Sequence, residues 1–312
     1  VPNVPTSTGV IVGDFRWGPC NEPILVNNEG TLVSTFGTPN DATSVDFHSA
    51  AYYLRYSSDL FVIRATDSDT ATNAFEAGGT PARTAITVEN QAEFDAQFSA
   101  LDSDGYTFIA KYPGSLGNSI KIEICGSNHA DPTNASYHTD FDAWAYKNNY
   151  DTGPGTSAHT ANIGGKNDEV HVAIVDTTGL LSGIKNSVLE TYPYVSQAAG
   201  AQNADGTNNF IRDVINQRSA YVKMVDMPTG MGIGAGAAAT STSDMKLSAQ
   251  LDVVLTTGDE GDPLGVDDYM TSYNLIDDPA QYLIDFIIAP SLVSSTNHVT
   301  LVNHLTSIAA QT

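Results

Sequence analysis

The chain has 312 residues and a mass of 33.0 kDa, enough to bury a sizeable core and to form two or three domains. Thirteen basic against 36 acidic residues give a net charge of −23, a field that repels phosphate backbones and argues against direct nucleic-acid binding; its plainest use is to keep free subunits apart until a specific contact forms. Cys20 and Cys125 lack metal-ligand spacing and make no disulfide framework, and neither a membrane-length apolar run nor a signal segment is present.

The order of elements is clearest from Ser7 to Asp67. Val10-Ile11-Val12 and Leu60-Phe61-Val62-Ile63-Arg64-Ala65 are short apolar runs of the kind that suits strands covered on both faces. Two helices lie between them, which makes a right-handed crossover joining parallel strands. The first helix has Asn27 or Asn28 as its cap, an inward stripe of Leu32, Val33 and Phe36, and Gly37 with Pro39 as its stop. In the second, Phe47, Ala50, Ala51 and Leu54 share one face.

Residues 67–83 are polar and small and read as a surface excursion. Asp67 and Asp69 do not make a calcium loop, because Ala71 stands where an oxygen ligand is needed and no closing Glu follows. Thr84 to Val88 is a strand candidate. A helix from Gln91 to Leu101 follows, with Asn90 and Glu93 spaced as a capping box and Phe94, Phe98 and Leu101 inward. Phe108 to Lys111 leads through Tyr112-Pro113-Gly114-Ser115-Leu116-Gly117-Asn118 to a strand in which Ile120, Ile122 and Ile124 alternate with Lys121, Glu123 and Cys125. That alternation predicts a half-buried strand. Around Ser115 the run Gly114-Ser115-Leu116-Gly117 is one residue short of the glycine spacing of a hydrolase elbow, and a strand follows rather than a helix.

Between Gly126 and Asn167 a long polar segment carries Phe141, Trp144, Tyr146 and Tyr150. Loops of this length are commonly functional, so some of these aromatics are expected to meet a neighbouring subunit; the alternative is that they pin the loop to its own domain. Asn134-Ala135-Ser136 is a chance-level glycosylation triplet. Gly164-Gly165-Lys166 is a broken phosphate loop, because Asn167 replaces the required hydroxyl residue.

Val170 to Val175 and Val188 to Ser196 read as strands. A helix capped by Asn208 or Asn209 turns Phe210, Ile211, Val214 and Ile215 inward. From Pro228 to Ser243 the chain is nearly all Gly, Ala, Ser and Thr, and without a strand directly before Gly232 it reads as a flexible connector rather than a dinucleotide loop. Leu251 to Leu255 and Tyr282 to Ala289 are strands that alternate with helices over Val266 to Leu275 and Asn297 to Ala309. This pattern predicts one parallel sheet that needs further strands from elsewhere.

Three ordered series carry a family resemblance: STG, GDFRWGP, TFG.P, YLRY.SDL and VIRA before Asp67; then YPGSLGN before a strand; then the stretch from Val188 to Val222. In this respect the chain resembles the tail sheath proteins of contractile-tailed bacteriophages, in their N-terminal and middle part. The family's paired glycine after the strand at Leu251 to Leu255 is replaced here by Thr257 beside Gly258.

The resemblance implies a mixed α/β (α+β), multidomain fold of sheets flanked by helices, with the start of a βαβα unit at the C-terminal end. It implies a discontinuous outer sheath-body domain over 1–66 and 84–222, a surface insertion over 67–83, a connector over 223–250, and the truncated beginning of a conserved α/β domain over 251–312. Without an initiator Met, the sequence is expected to begin inside a longer product. The implied function is structural: a virion tail component, assembled in the bacterial host cytoplasm, that polymerises around the tail tube and contracts to drive genome delivery. Implied partners are other copies of itself, the tail tube protein, and baseplate and tail terminator proteins, without direct nucleic-acid contact or membrane insertion. No catalytic, cofactor-binding or metal-binding residue is assigned, and no cofactor is expected. A secreted or cell-surface array protein, or a nucleotide-binding enzyme, are the alternatives.

Overall fold

The computed structural model describes residues 7–76, 84–98, 105–127, 139–290, 292 and 295–310. In chain order the first half contains β1 (Gly9–Gly13), β2 (Ile24–Val26), α1 (Glu29–Phe36), α2 (Ser44–Tyr53), β3 (Leu60–Arg64), β4 (Asn73–Glu76), α3 (Gln91–Gln97), β5 (Phe108–Pro113), β6 (Ile120–Gly126) and α4 (Thr139–Ala143). The second half contains α5 (Ala158–Ile163), β7 (Glu169–Asp176), β8 (Ser187–Ser196), α6 (Ile211–Arg218), β9 (Val222–Met224), β10 (Leu251–Thr256), α7 (Val266–Tyr273), β11 (Phe286–Ile288) and α8 (Ser295–Ala309). The result is a mixed α+β, multidomain fold built on two sheets.

The first sheet has the order β11-β1-β3-β2, with β11, β1 and β3 parallel and β2 antiparallel at the edge. Period two sorts its side chains. Ile11, Leu60 and Val62 pack on α1 and α2, while Val10, Val12 and Ile63 pack on α7 and α8. Both faces are therefore dry, as the continuous apolar runs require. The crossover between β1 and β3 forms as its sequence predicts: Asn28 accepts the Thr31 N–H to start α1, and Gly37, at φ 76°, ends it. Gly9 is demanded by proximity, since a Cβ there would lie 2.6 Å from the Tyr53 ring, whose hydroxyl donates to Ser7 O.

The second sheet is wholly antiparallel, in the order β8-β7-β6-β10-β4-β5-β9. One face buries Ile120, Ile122, Ile124, Val172 and Val253 beneath α6, whose Phe210, Ile211, Val214 and Ile215 point inward as the sequence predicts. The α6 cap differs from expectation. Phe210 holds that position without a side-chain bond, Asn208 accepts the Phe210 N–H, and Asn209 is drawn away to Tyr194 O.

Several other expectations are corrected. The strand at Leu251 to Leu255 and the one at Tyr282 to Ala289 do not share a sheet: β10 sits between β6 and β4, and β11 joins β1. The reason lies in β10 itself, where buried Val253 and Leu255 alternate with exposed Asp252 and Val254, a pattern suited to an antiparallel sheet open on one side. Within 67–83, residues Asn73–Glu76 form a buried strand; residues 77–83 lie outside the described residues. Thr84 to Val88 makes no strand. It is tied down instead by Asn73, whose side chain bonds both the N–H and the C=O of Val88.

The Pro228 to Ser243 tract is irregular but partly packed: the Gly232 N–H donates to Gln197 Oε1, and a Cβ on Gly232 would fall 2.1 Å from Met245 O. Leu101 and the Asn134-Ala135-Ser136 triplet lie outside the described residues.

Thr257 has φ +66°, left-handed backbone that a β-branched residue enters only with strain. Thr257 is exposed, so little packing is lost on truncation. Thr257→Gly is therefore expected to raise stability by about 1 kcal/mol, the relief of strain exceeding the entropy glycine adds to the unfolded chain. A urea midpoint that fell in the variant would contradict this account.

Candidate assembly surface

The polar segment with the aromatic residues, where the sequence leaves contact with a neighbouring subunit or with its own domain open, turns inward. Phe141, Trp144 and Tyr150 are buried against Cys125, Ala173 and Val175, covering the second face of β6 and β7. This is also why β6 is buried on both sides rather than half-exposed: Trp144 Nε1 donates to Glu123, and the Tyr150 hydroxyl donates to Val172 O. Tyr146 alone of the four stays half-buried.

His171 is the pin of this layer. Its ring stacks on Tyr150 at 4.3 Å and meets the Tyr194 ring edge-on at 4.5 Å. The Tyr194 N–H can only donate, so Nδ1 accepts it (3.1 Å), and the proton sits on Nε2, which donates to Thr152 O (2.7 Å). Tyr194 itself is in left-handed backbone (φ 53°) where the β7–β8 register shifts, so the neutral imidazole holds a bulge in place.

Burial lowers the His171 pKa to about 4, against the pull of the Thr152 carbonyl. A depressed histidine contributes stability that is full above pH 6.5 and is lost as pH falls toward 4. The urea midpoint is expected to drop between pH 7 and pH 4.5, and the drop should shrink in His171→Gln.

Other polar groups flagged in the sequence serve local structure. Ser115 Oγ donates to Glu260, Asp67 accepts from the Asp69 N–H and the Thr70 hydroxyl, and Gly164 is the left-handed cap of α5. Among the described residues, no group of three or more His, Cys, Asp or Glu is placed to hold a metal, and no helix is long and apolar enough to cross a membrane.

The surface that remains open is the β11 edge. Parallel sheets normally continue until covered, yet among the described residues β11 has β1 on one side only. Beside it stand Leu283, 77% exposed, and Phe286, 54% exposed. The stripe Leu301, Leu305 and Ile308 fixes α8 on the sheet, and between α8 and β11 runs a groove of about 380 Å³ lined by Ile284, Ile287, Val302 and Leu305. An extended segment laid in this groove would find unpaired backbone groups on one side and apolar side chains on the other.

Sequence reasoning reached the need for additional strands but placed it on the wrong pairing. The informative signal was the strongly apolar run at Tyr282 to Ala289, which is too apolar for a sheet edge exposed to water.

A second opening lies at the carboxyl ends of the parallel strands, where ligands of open α/β sheets commonly bind. Its volume is about 590 Å³, and its walls include Val45, Leu264, Val266 and Tyr269. Asp14 and Asp46 line it as well, with Asp46 Oδ2 accepting the Asp14 N–H at 2.9 Å. Gly13 permits this closeness, since a Cβ there would come within 2.7 Å of Asp46 Cβ. Two carboxylates occupy the ground where a nucleotide-binding sheet offers free amides to phosphate, which disfavours an anionic ligand.

Over 181 residues, 58% of this chain and 24% of its counterpart, the sequence is 34% identical to the tail sheath protein of Salmonella phage ViI. The chain is homologous to phage tail sheath proteins. The chain is also 35% identical over 120 residues to the tail sheath protein of Enterobacteria phage T4, covering 34% of this chain and 18% of that protein. A 69-residue stretch is 42% identical to the tail sheath protein of Vibrio phage KVP40, 22% of this chain and 10% of that protein.

The chain thus matches about a quarter or less of the length of these relatives. Solved structures of sheath tail proteins align along almost all of it. One from Listeria innocua is 14% identical with a TM-score of 0.49, over 98% of this chain and 45% of that one. One from Desulfitobacterium hafniense is 13% identical with a TM-score of 0.46, over 97% and 46%. No family model matches the sequence.

Proposed function

We propose that the chain is part of a tail sheath subunit that polymerises around a phage tail tube and shortens to deliver the genome. The observation that carries this reading is the 34% identity over 181 residues to a tail sheath protein. The β11 edge supports it, because among the described residues it lacks a second partner strand, and an open sheet edge can receive one. Backbone pairing of that kind survives rotation of the bodies it joins, since it does not depend on side chains repacking elsewhere.

In this reading the work is mechanical, drawn from a free-energy difference stored at assembly, and no residue acts as a catalyst. By the same reading the second sheet, which takes in β10, belongs to the outer body, and the first sheet, in which β1 to β3 share a core with β11, α7 and α8, belongs to the part nearer the tube, so the division crosses the sequence boundaries at 66 and 251. The partners are copies of the same subunit, the tube, and the proteins that cap the tail at either end. The protein is assembled in the host cytoplasm and resides in the virion tail.

Electron microscopy of the full-length gene product tests the proposal. Tubes of stacked rings, formed alone or on tail tubes, are expected. A product that stays monomeric at high concentration and never polymerises on a tail tube would overturn it.

A further inference from the structure

We propose that the crevice at the carboxyl ends of β1 and β11 is the receptor for the β7–β8 loop of a second copy of this chain, with Lys185 of that loop seated on Asp14 and Asp46. The inference rests on the self-assembly reading above and names one contact within it.

The crevice arises from topology. From β1 the chain crosses by α1 and α2 on one face to β3, whereas β11, on the other side of β1, is approached by way of α7 on the opposite face. The connections diverge there, and an opening is left between them. Its apolar walls suit aliphatic side chains, while Asp14 and Asp46 give it a negative floor.

That negative charge is poorly compensated within the chain. Burial lifts both carboxyls above the usual carboxylate range; Arg64 at Asp14 and the Asp14 N–H at Asp46 oppose the rise, and the Glu260 and Asp14 charges respectively add to it. Arg64 donates to the carbonyls of Gly18 and Pro113. No Lys or Arg occurs anywhere from Leu247 to Thr312, so the wall formed by α7 and its neighbours offers no permanent cation. A half-buried carboxylate pair of this kind gains most from a cation that arrives with its own apolar stem.

The loop between β7 and β8 carries a matching set of groups. It displays Leu180, 49% exposed, Ile184, 68% exposed, and exposed Lys185, two bare apolar side chains beside a cation. It is also held in shape before any contact: Asp176 accepts the N–H groups of Gly179, Leu181 and Ser182 and the Ser182 hydroxyl, and Ser182 Oγ accepts the Ile184 N–H. A loop ordered in advance binds with little loss of freedom.

The loop extends from the β8 end of the second sheet, whereas the crevice belongs to the first sheet. Pairing loop to crevice therefore joins two different patches of two copies, head to tail. Contacts of that type propagate into rings or helical filaments rather than closing as a dimer.

Mixed ¹⁴N- and ¹⁵N-labelled full-length protein, treated with a carbodiimide that fuses touching carboxylates and amines, tests the contact. Mass spectrometry is expected to find Lys185 joined to Asp14 or Asp46, with one peptide light and the other heavy. Lys185→Glu is expected to weaken self-association at least tenfold, and Lys185→Glu combined with Asp46→Lys to recover part of it.

If tubes form and Lys185 is joined elsewhere or not at all, or if Lys185→Glu assembles as well as the parent, the contact is refuted while the sheath reading stands. If the parent protein never associates, the sheath reading fails and takes the contact with it. Circular dichroism of each variant separates lost assembly from lost folding.

Discussion

Replacing Arg64 with Met is expected to lower the free energy of unfolding by about 3 kcal/mol, the largest loss for a single substitution of nearly equal volume in this chain. Arg64 ends β3 and is 3% exposed. Its Nη1 donates to Gly18 O at 3.1 Å, in the loop after β1, and its Nη2 donates to Pro113 O at 2.9 Å, at the end of β5 in the other sheet. One guanidinium thus braces the two sheets through two charge-assisted bonds, and Met would leave both carbonyls buried without that donor. Lys is not an adequate substitute, because a single ammonium does not span the fork. Urea denaturation followed by circular dichroism would read the loss; a change below 1 kcal/mol would mean that the brace is idle.

Asp176→Ala ranks second, at roughly 2–3 kcal/mol, because it strips one buried carboxylate from several donors at once. Besides the loop amides, Ser119 donates to it, so the start of β6 and the end of β7 are tied through the same side chain. Burial works to raise its pKa, but the bonds from Ser119, Ser182 and Gly179 together outweigh that and leave it below the usual value of 3.8. A depressed carboxyl contributes stability that is present above about pH 4, its unfolded value, and is lost as pH falls through the lower folded value. Asp176→Asn should therefore flatten the acid limb of the stability curve below pH 4 while lowering the plateau at pH 7. An unchanged acid limb would remove Asp176 from the account. The same variants should loosen residues 177–186, which hydrogen exchange of those amides would detect.

Local rules carried far in the first sheet, because pattern and cap agree there. Val10-Ile11-Val12, the Asn28 cap and the Gly37 stop all report the same crossover, and β1 and β3 pair in parallel register. The helix stripes at Phe47, Phe94 and Phe210 were equally plain, since each is a short-range signal.

What stayed hidden depends on partners far away in the chain. Asn73–Glu76 is a poor strand by composition and becomes one because β10 and β5 flank it. The aromatics after Phe141 could equally have faced a neighbour or the home sheet, and only the bare second face of β6 and β7 decides between these. The crevice and the β7–β8 loop carry no motif at all. Asp14 and Asp46 are 32 residues apart and meet only because Gly13 lets α2 approach the end of β1.

The place of β10 bears on how the protein emerges from the ribosome. β4, β5 and β9 form one group of paired strands and β6, β7 and β8 another, and among the described residues β10 is the strand hydrogen-bonded to both. A nascent chain that has not yet released residues 251–256 holds two unjoined half-sheets with raw edges on β4 and β6. Translation pauses before that point would prolong exposure to misassembly between neighbouring chains on a polysome, which makes this interval the one in which a chaperone would matter most.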